Sequence, residues 1–519
     1  MKRVFTFCLV AFISLVSVSS VLAQAGQLDP SFGVAGELAD ADIYPWYYSD
    51  MAMGQGGQFV ITTAHADTIA VIRFLSDGTR DVSFGNSSNG RVVMVRPAFS
   101  GAVYSSVVQS DRKTIIAGTD KNGGSVYNSF LLRLKDDGSI DSTFGTNGFV
   151  YPAIFPGASG EAVSEVRLQL DGKIVAMVRT TGATSNDSVA IIRLNSTNGG
   201  FDNSFATNGV YFVHDQSIPS DGTAYFAIDL SNNINFATYS GANGVDNIYA
   251  FQLDQTGSFN PSFGLNGSVL ISNGYFIDGP YNLGFAFQPD GKLVTVQSAL
   301  RGDTSLMLAR YNTDGTADAS FGGDGHVVPA LLDVQPFSIH NLNIDNYGNI
   351  VASGTANVAG GIRTIVACLN PNGSMNVSFG DYSGYALLNN FEWDNLVYNV
   401  AILPDNNILI NGLVNENNYK LYQVVRLTGA AGVFSGINTQ VDAAAIAVYP
   451  NPVSSYTTVY LPVNAGGNIV ISDLSGRLIA EVKATGGTTH INTANLPAGV
   501  YMVNYRDTRL NTTLKIVKQ

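Results

Sequence analysis

The chain has 519 residues, is 45% hydrophobic and only 13% charged, and carries a net charge of −13 at neutral pH. The charge is unevenly spread: residues 24–443 hold 19 Lys and Arg against 37 Asp and Glu (net −18), while residues 444–519 hold 6 against 3 (net +3). So acidic a body argues against nucleic acid and anionic membrane surfaces as partners, and a single cysteine beyond residue 23, Cys368, excludes an intramolecular disulfide.

Residues 1–23 read as a secretory signal peptide. Lys2 and Arg3 form a basic start, Val4 to Val21 an apolar stretch, and Val21-Leu-Ala23 a small-residue cleavage site that leaves Gln24 first. The alternative is a membrane anchor, against which the cleavage site and the serines in the apolar run both speak. No other long apolar run follows, so no transmembrane anchor is expected in the mature chain.

From residue 24 to 430 a short tag keeps returning. It reads Asp29-Pro-Ser-Phe32-Gly33, Asp81-Val-Ser-Phe84-Gly85, Asp141-Ser-Thr-Phe144-Gly145, Asp202-Asn-Ser-Phe205-Ala206, Asn260-Pro-Ser-Phe263-Gly264, Asp318-Ala-Ser-Phe321-Gly322 and Asn376-Val-Ser-Phe379-Gly380. The steps from Phe to Phe are 52, 60, 61, 58, 58 and 58 residues. A fixed period of this size marks an array of like supersecondary units.

One unit, from Phe144 to Phe205, shows the pattern. Gly148-Phe-Val-Tyr-Pro152 is a short apolar run. Val163-Ser-Glu-Val-Arg-Leu-Gln-Leu170 then alternates with period two, Asp171-Gly172 is a hairpin turn, and Lys173-Ile-Val-Ala-Met-Val-Arg179 returns. Ser188-Val-Ala-Ile-Ile-Arg-Leu194 is a fourth strand. Four short antiparallel strands per unit, without helical periodicity, are the pattern of a propeller blade. Fourth strands ending near Phe74, Leu134, Leu194, Leu253, Arg310, Leu369 and Leu427 predict seven blades. In this reading the tag bridges the outer strand of one blade to the inner strand of the next. Its Asp or Ser caps the turn, its Phe wedges between blades, and its Gly takes an unusual φ. Ala206 at the glycine position implies that φ there is not strictly positive. No strand obviously precedes Asp29, so the closure of the ring stays open.

These tags resemble the delta-60 repeat family over Leu28 to Leu427. The resemblance implies the repeat architecture and supplies no catalytic residues.

The Asp-Gly loop and the tag are nearly constant, whereas the first and third loops vary. Strand alternation places the variable loops together on one face, where binding usually resides on a rigid scaffold. The first loops are rich in aromatics, among them Trp46, Tyr47, Tyr275, Phe276 and Trp393. Those five are the binding candidates, suited to sugar rings or a surface protein. The alternative is that they cover blade edges.

A search for chemistry yields no catalytic residue. Histidines 65, 214, 326, 340 and 490 are scattered, with no metal-ligand spacing. The tag lacks the dense acidic loop of a calcium site, so no cofactor is expected, with a structural calcium ion left as the open alternative. Cys368 reads as a buried thiol in a strand. Arg301-Gly-Asp303 reads as a chance tripeptide.

Residues 431–445 read as a linker, after which the tag never returns. Residues 446–519 hold six or seven short strands, the pattern of a small β-sandwich. This module resembles the type A carboxy-terminal sorting domain of the type IX secretion system of Bacteroidota, through Tyr449-Pro450-Asn451-Pro452, Asp473-Leu-Ser-Gly476-Arg477, Leu496-Pro497-Ala-Gly499-Val-Tyr501 and the basic end Lys515-Ile-Val-Lys-Gln519. The resemblance implies passage through the outer membrane by that machinery, then release or attachment at the cell surface.

The sequence therefore predicts an all-β protein, a seven-bladed β-propeller of four-stranded antiparallel blades followed by a small Ig-like β-sandwich. It is expected outside the cell or on the outer-membrane surface, as a binding or adhesion scaffold. The rival reading is an extracellular carbohydrate-active or lactone-hydrolysing enzyme with its site in the propeller channel.

Overall fold

The computed structural model describes residues 24–430 and 447–518, apart from 41–48, 66, 86–87, 97–98, 122–123, 182–187, 214–224, 230, 241–246, 266, 274–282, 300–304, 332–333, 360, 389–396, 417–418, 450–452, 454–455, 461–466, 474–476, 485–487 and 507–510. The predicted signal peptide and linker lie outside the described residues. The chain divides into two compact units, Met1–Val433 and Phe434–Gln519. No α-helix occurs among the described residues.

Among the described residues the first unit holds seven four-stranded antiparallel sheets. From inside to outside, blade 1 is Ser49–Met53, Phe59–His65, Thr68–Phe74 and Arg91–Val95. Blade 2 is Gly101–Val108, Thr114–Asp120, Asn128–Leu134 and Phe149–Val150, and blade 3 is Glu161–Leu168, Ile174–Thr180, Val189–Leu194 and Val210–Val213. Blade 4 begins with Tyr225–Ile228, blade 5 with Leu283–Phe287 and blade 6 with Val334–Ile344. Blade 7 takes Val397–Ile402, Ile408–Glu416 and Tyr419–Leu427 from the end of the array, and its outermost strand, Glu37–Ala39, from the beginning. The innermost strands touch one another in sequence round the circle, and Val397–Ile402 meets Ser49–Met53.

Two expectations need correction. The strand after each tag is not the innermost strand of the next blade. Phe149–Val150, which follows the third tag, pairs with Asn128–Leu134 and finishes blade 2. The tag is thus the turn between the third and outermost strands of one blade, and the aromatic-rich loops are the crossings to the next. Loop parity is unchanged, so tags and Asp-Gly turns still share one face. The second correction concerns Ala206, whose φ is +44°. The position is left-handed whatever residue fills it, because the backbone must turn there.

The tag acts as a clasp between blades. In five blades an arginine from the third strand donates Nε to Oδ2 of the tag aspartate: Arg73 to Asp81 (2.8 Å), Arg133 to Asp141 (2.9 Å), Arg193 to Asp202 (2.8 Å), Arg310 to Asp318 (2.7 Å) and Arg426 to Asp29 (2.9 Å). The other carboxylate oxygen accepts from the tag's own Ser or Thr, as Asp81 Oδ1 does from Ser83 Oγ at 2.6 Å. The guanidinium also donates across the seam to a main-chain carbonyl of the next blade, Asp136 from Arg73 at 2.7 Å and Ser196 from Arg133. It lies over the tag Phe ring, 4.5 Å from the Phe144 centroid. Phe32, Phe84, Phe144, Phe205, Phe321 and Phe379 are fully buried, and each such ring contributes roughly 1.5–3 kcal/mol by leaving water. Gly138 and Gly199 lie in turns of the following blade; a Cβ at Gly199 would come within 2.6 Å of Phe144, and one at Gly138 within 2.5 Å of Val92 and 3.1 Å of Phe84.

Two tags depart together with their partners. Asn260 faces Gln252 and donates to its Oε1 at 2.7 Å, and Asn376 shares its blade with Cys368 in the arginine's place. Where the arginine is missing the tag carboxylate is missing too, so no unpaired charge is left in the seam. Burial pushes the Cys368 thiol up, which leaves it a protonated, apolar filler.

The second unit is a β-sandwich. One sheet pairs Ala447–Tyr449, Tyr456–Tyr460 and Thr488–Asn492, and the other orders Leu478–Ala484, Gly467–Asp473, Gly499–Arg506 and Asn511–Lys518. Val459, Ile469, Ile471, Ile491, Val503, Tyr505 and Ile516 form its core.

Candidate functional site

The innermost strands surround a cavity of about 740 Å³. Strand register decides what lines it. Counting back three residues from the last paired residue of each innermost strand gives Asp50, Ser105, Glu165, Tyr225, Gly284, Asn341 and Asn399 in blades 1 to 7. This level of the channel is polar in five of the seven blades. One step nearer the turn, the level holds Ala52, Val107, Arg167, Ala227, Ala286, Asn343 and Ala401. It is small and apolar except for Arg167 and Asn343. In blades 2, 3, 6 and 7 the register shifts immediately before the polar residue, at Ser105, Glu165, Asn341 and Asn399. Such bulges re-aim side chains and cluster next to sites.

The polar level is wired between blades. Asp50 Oδ2 accepts from the amide of Ser106 (2.6 Å) and from its Oγ (2.7 Å), while Oδ1 accepts from Asn399 Nδ2 (2.9 Å). Glu165 Oε1 lies 2.5 Å from Nη2 of Arg167. Ser105 Oγ accepts from the amide of Val166 at 3.2 Å. Arg167 keeps 55% of its side-chain surface accessible because it stands in the channel and not in packed core. Arg179 and the ring of Tyr104 line the same cavity, 5.9 Å from guanidinium carbon to ring centroid.

The electrostatics are unlike those of the clasps. Depth inside the ring pushes the Asp50 carboxyl above its ordinary value, against the hydrogen bonds of Ser106 and the charge of Arg167. The same desolvation raises Glu165, with Arg167 pulling the other way and Asp50 adding to the rise. Two carboxyls and two guanidiniums thus share a chamber whose wall also offers amides, hydroxyls and the rings of Phe226 and Phe285. Chemically this wall can donate and accept hydrogen bonds on several sides of a polar ligand.

The five aromatic binding candidates, Trp46, Tyr47, Tyr275, Phe276 and Trp393, lie outside the described residues, as do Pro450, Asn451, Pro452, Gly476 and Arg301-Gly-Asp303. In the sandwich, Leu496 packs against the core, Gly499 opens a strand, and the buried Tyr501 donates its hydroxyl to the Pro497 carbonyl at 2.9 Å. Sequence reasoning did not find Asp50, Glu165, Arg167 or Arg179. One signal was available: Glu165-Val-Arg167 puts two charges on the channel-facing side of a strand, where the matching pair in every other blade carries at most one. Among the described residues no group of three or more His, Cys, Asp and Glu side chains is placed to hold a metal ion, and no helix is long and apolar enough to cross a membrane.

Residues 447–519 match the secretion system C-terminal sorting domain family. The C-terminal module is that sorting domain. Its presence marks the chain for type IX secretion, to the cell surface or beyond, and implies contact with that machinery. Residues 109–144, 169–205, 288–321 and 348–379 of the propeller match a beta-propeller domain of unknown function, under that description and not the delta-60 name. No curated protein matches the chain. Among solved structures the chain is similar to PorZ, a surface component of the type-IX secretion system of Porphyromonas gingivalis, at 12% identity and a TM-score of 0.37, covering 90% of this chain and 59% of that one. It is also similar to a polysaccharide lyase, Uly1, at 8% identity and a TM-score of 0.42, over 77% of this chain and 92% of that one. An α-L-arabinofuranosidase from Fusarium graminearum follows at 10% identity and a TM-score of 0.36, over 64% and 93% of the two chains. Likeness at this level says nothing about activity.

Proposed function

We propose that this protein is an extracellular binding scaffold, carried out by its sorting domain, whose propeller takes a glycan in its central channel. The observation that supports the reading is the polar level of the channel wall, drawn from Asp50, Ser105, Glu165, Asn341 and Asn399 of five different blades and backed by Arg167. A sugar hydroxyl both donates and accepts, which suits a wall that mixes carboxyls, guanidiniums and amides, and Phe226 and Phe285 offer apolar surface for the ring faces. The volume falls in the range of ordinary ligand sites, on the order of 300–1,000 Å³. The test is a glycan array followed by calorimetric titration with the secreted protein and its Asp50→Asn and Glu165→Gln variants. The expected result is saturable binding weakened about tenfold or more in either variant, with the fold intact, as for loss of a buried charged hydrogen bond. Binding unchanged in both variants would remove the channel as the site.

The two carboxyls of Asp50 and Glu165 in one chamber favour a second reading, an enzyme that uses them as acid and base. Turnover of the bound glycan, abolished in the same variants, would establish that reading over simple binding.

A further inference from the structure

Two hydrogen-bond donors of the channel wall have no acceptor. Nε of Arg179 is buried and has no hydrogen-bond partner, and among the described residues Arg179 forms no ion pair. Nδ2 of Asn341, in another blade, is likewise buried and unpartnered. On the acceptor side, both oxygens of Asp50 are engaged by Ser106 and Asn399, and Glu165 is engaged by Arg167. Buried polar groups are nearly always satisfied, and each that is not calls for an explanation. The half-buried guanidinium of Arg179 is the more telling of the two, because its charge has no counter-ion beside it and its buried Nε has no acceptor. A neutral hydroxyl would fill the hydrogen bond and leave the charge. A carboxylate fills both, since its two oxygens match the guanidinium fork.

We propose that the channel selects a glycan bearing a carboxylate, a uronic acid in chemical class, and that Arg179 receives that group. This rests on the reading of the channel as a glycan site. Asn341 then donates to a ring or hydroxyl oxygen of the same ligand, and Tyr104 beside Arg179 flanks the acidic residue. The charge of Glu165 is countered by Arg167, and Asp50 accepts from the neutral donors Ser106 and Asn399.

The experiment titrates the full secreted chain with polyuronate tetrasaccharides of galacturonate, mannuronate or glucuronate, each beside its carboxyl-reduced counterpart. The acid form is expected to bind at least about tenfold more tightly than the reduced form, with the preference shrinking as salt is raised. In Arg179→Gln the two forms should bind alike, while Arg179→Lys, which keeps the charge without the fork, should retain part of the preference. Thermal unfolding of both variants guards against a folding defect. If reduced and acid forms bind alike in the wild type, or if Arg179→Gln keeps the preference, the inference falls while the channel site stands. If neither form binds and the neutral glycans of the array also fail, both readings fall together.

Discussion

Arg426 donates from Nε to Oδ2 of Asp29 at 2.9 Å across 397 positions of sequence. The same guanidinium reaches Ser31 Oγ at 2.7 Å and the carbonyl of Ser76 in blade 1, and lies 4.9 Å from the Phe32 centroid. The first tag therefore belongs to the last blade. Its neighbours add to the seal: Glu37, Leu38 and Ala39 pair with Val425, Val424 and Gln423, and the amide of Gly380 donates to the carbonyl of Ala25 at 2.9 Å.

Breaking this pair from one side should be costly. Asp29→Asn leaves Arg426 buried without its counter-charge and is expected to destabilise the propeller by about 3 kcal/mol or more. The double variant Asp29→Asn with Arg426→Gln copies the neutral arrangement of Gln252 and Asn260. It should recover most of the loss. Denaturant unfolding of the three proteins gives the coupling, and a double variant no better than the single one would refute the exchange.

The clasps make stability depend on acid. Burial alone would raise Asp29, Asp81, Asp141 and Asp202, but hydrogen bonds from the tag's own Ser or Thr and the nearby arginine or lysine hold each of them below the usual carboxylate value. In Asp318 the bond from Lys292 is the largest influence, with the same outcome. A depressed folded pKa contributes stability that is complete above the unfolded value of about 3.9 and fades as pH falls through the folded one. Five such groups should make the propeller lose stability steeply below about pH 4. Circular dichroism along an acid titration checks this, and the neutral double variant should show a shallower fall.

Asp50 and Glu165 have the opposite sign. Their folded pKa values are raised, so their contribution is most favourable below the unfolded value and is lost as pH rises through the folded one. Glu165→Gln should therefore flatten the stability profile above about pH 4, the unfolded carboxylate value, without weakening the fold at neutral pH. A marked loss of stability at pH 7 would mean that the Glu165–Arg167 pair holds the channel wall together.

Ala206 sits at φ +44° where the other tags place glycine. A left-handed conformation costs an L-residue roughly 1 kcal/mol, so Ala206→Gly should stabilise blade 3 by up to about that amount, less the chain entropy of the added glycine. The reverse change, Gly145→Ala, would put a Cβ about 2.1 Å from the Phe149 carbonyl oxygen and should destabilise far more. Chemical denaturation of the two variants gives both signs.

In the sorting domain, Tyr501→Phe removes the hydroxyl that reaches Pro497. The Pro497 carbonyl, on an exposed residue, then turns to water, and the module should unfold by up to about 1 kcal/mol more easily, the net worth of one hydrogen bond. A melt that follows the sandwich alone, with the propeller transition unmoved, is the expected outcome.

Much of the fold was legible in the residues. Turn chemistry is local: Asp171-Gly172 and the tag name their own backbone conformation, and alternation within Val163–Leu170 announces a strand. The sorting motifs are likewise contiguous. What a periodic sequence cannot carry is its phase. A spacing of 58 residues from Phe263 to Phe321 is the same whichever strand of the unit is taken as innermost. Only hydrogen bonding between strands, Phe149 with Leu132, settles that the tag ends in an outer strand. Ring closure by Glu37–Ala39 is the same question of phase asked at the two ends of the array. The channel was hidden for a further reason. Asp50, Glu165, Arg179 and Asn341 come from three blades and up to 291 positions apart, and their meeting depends on register and on bulges that no local pattern records. Composition and spacing determined what the blades are made of; long-range pairing decided which side chains share the chamber, because burial and charge there are properties of the closed ring and of no single repeat.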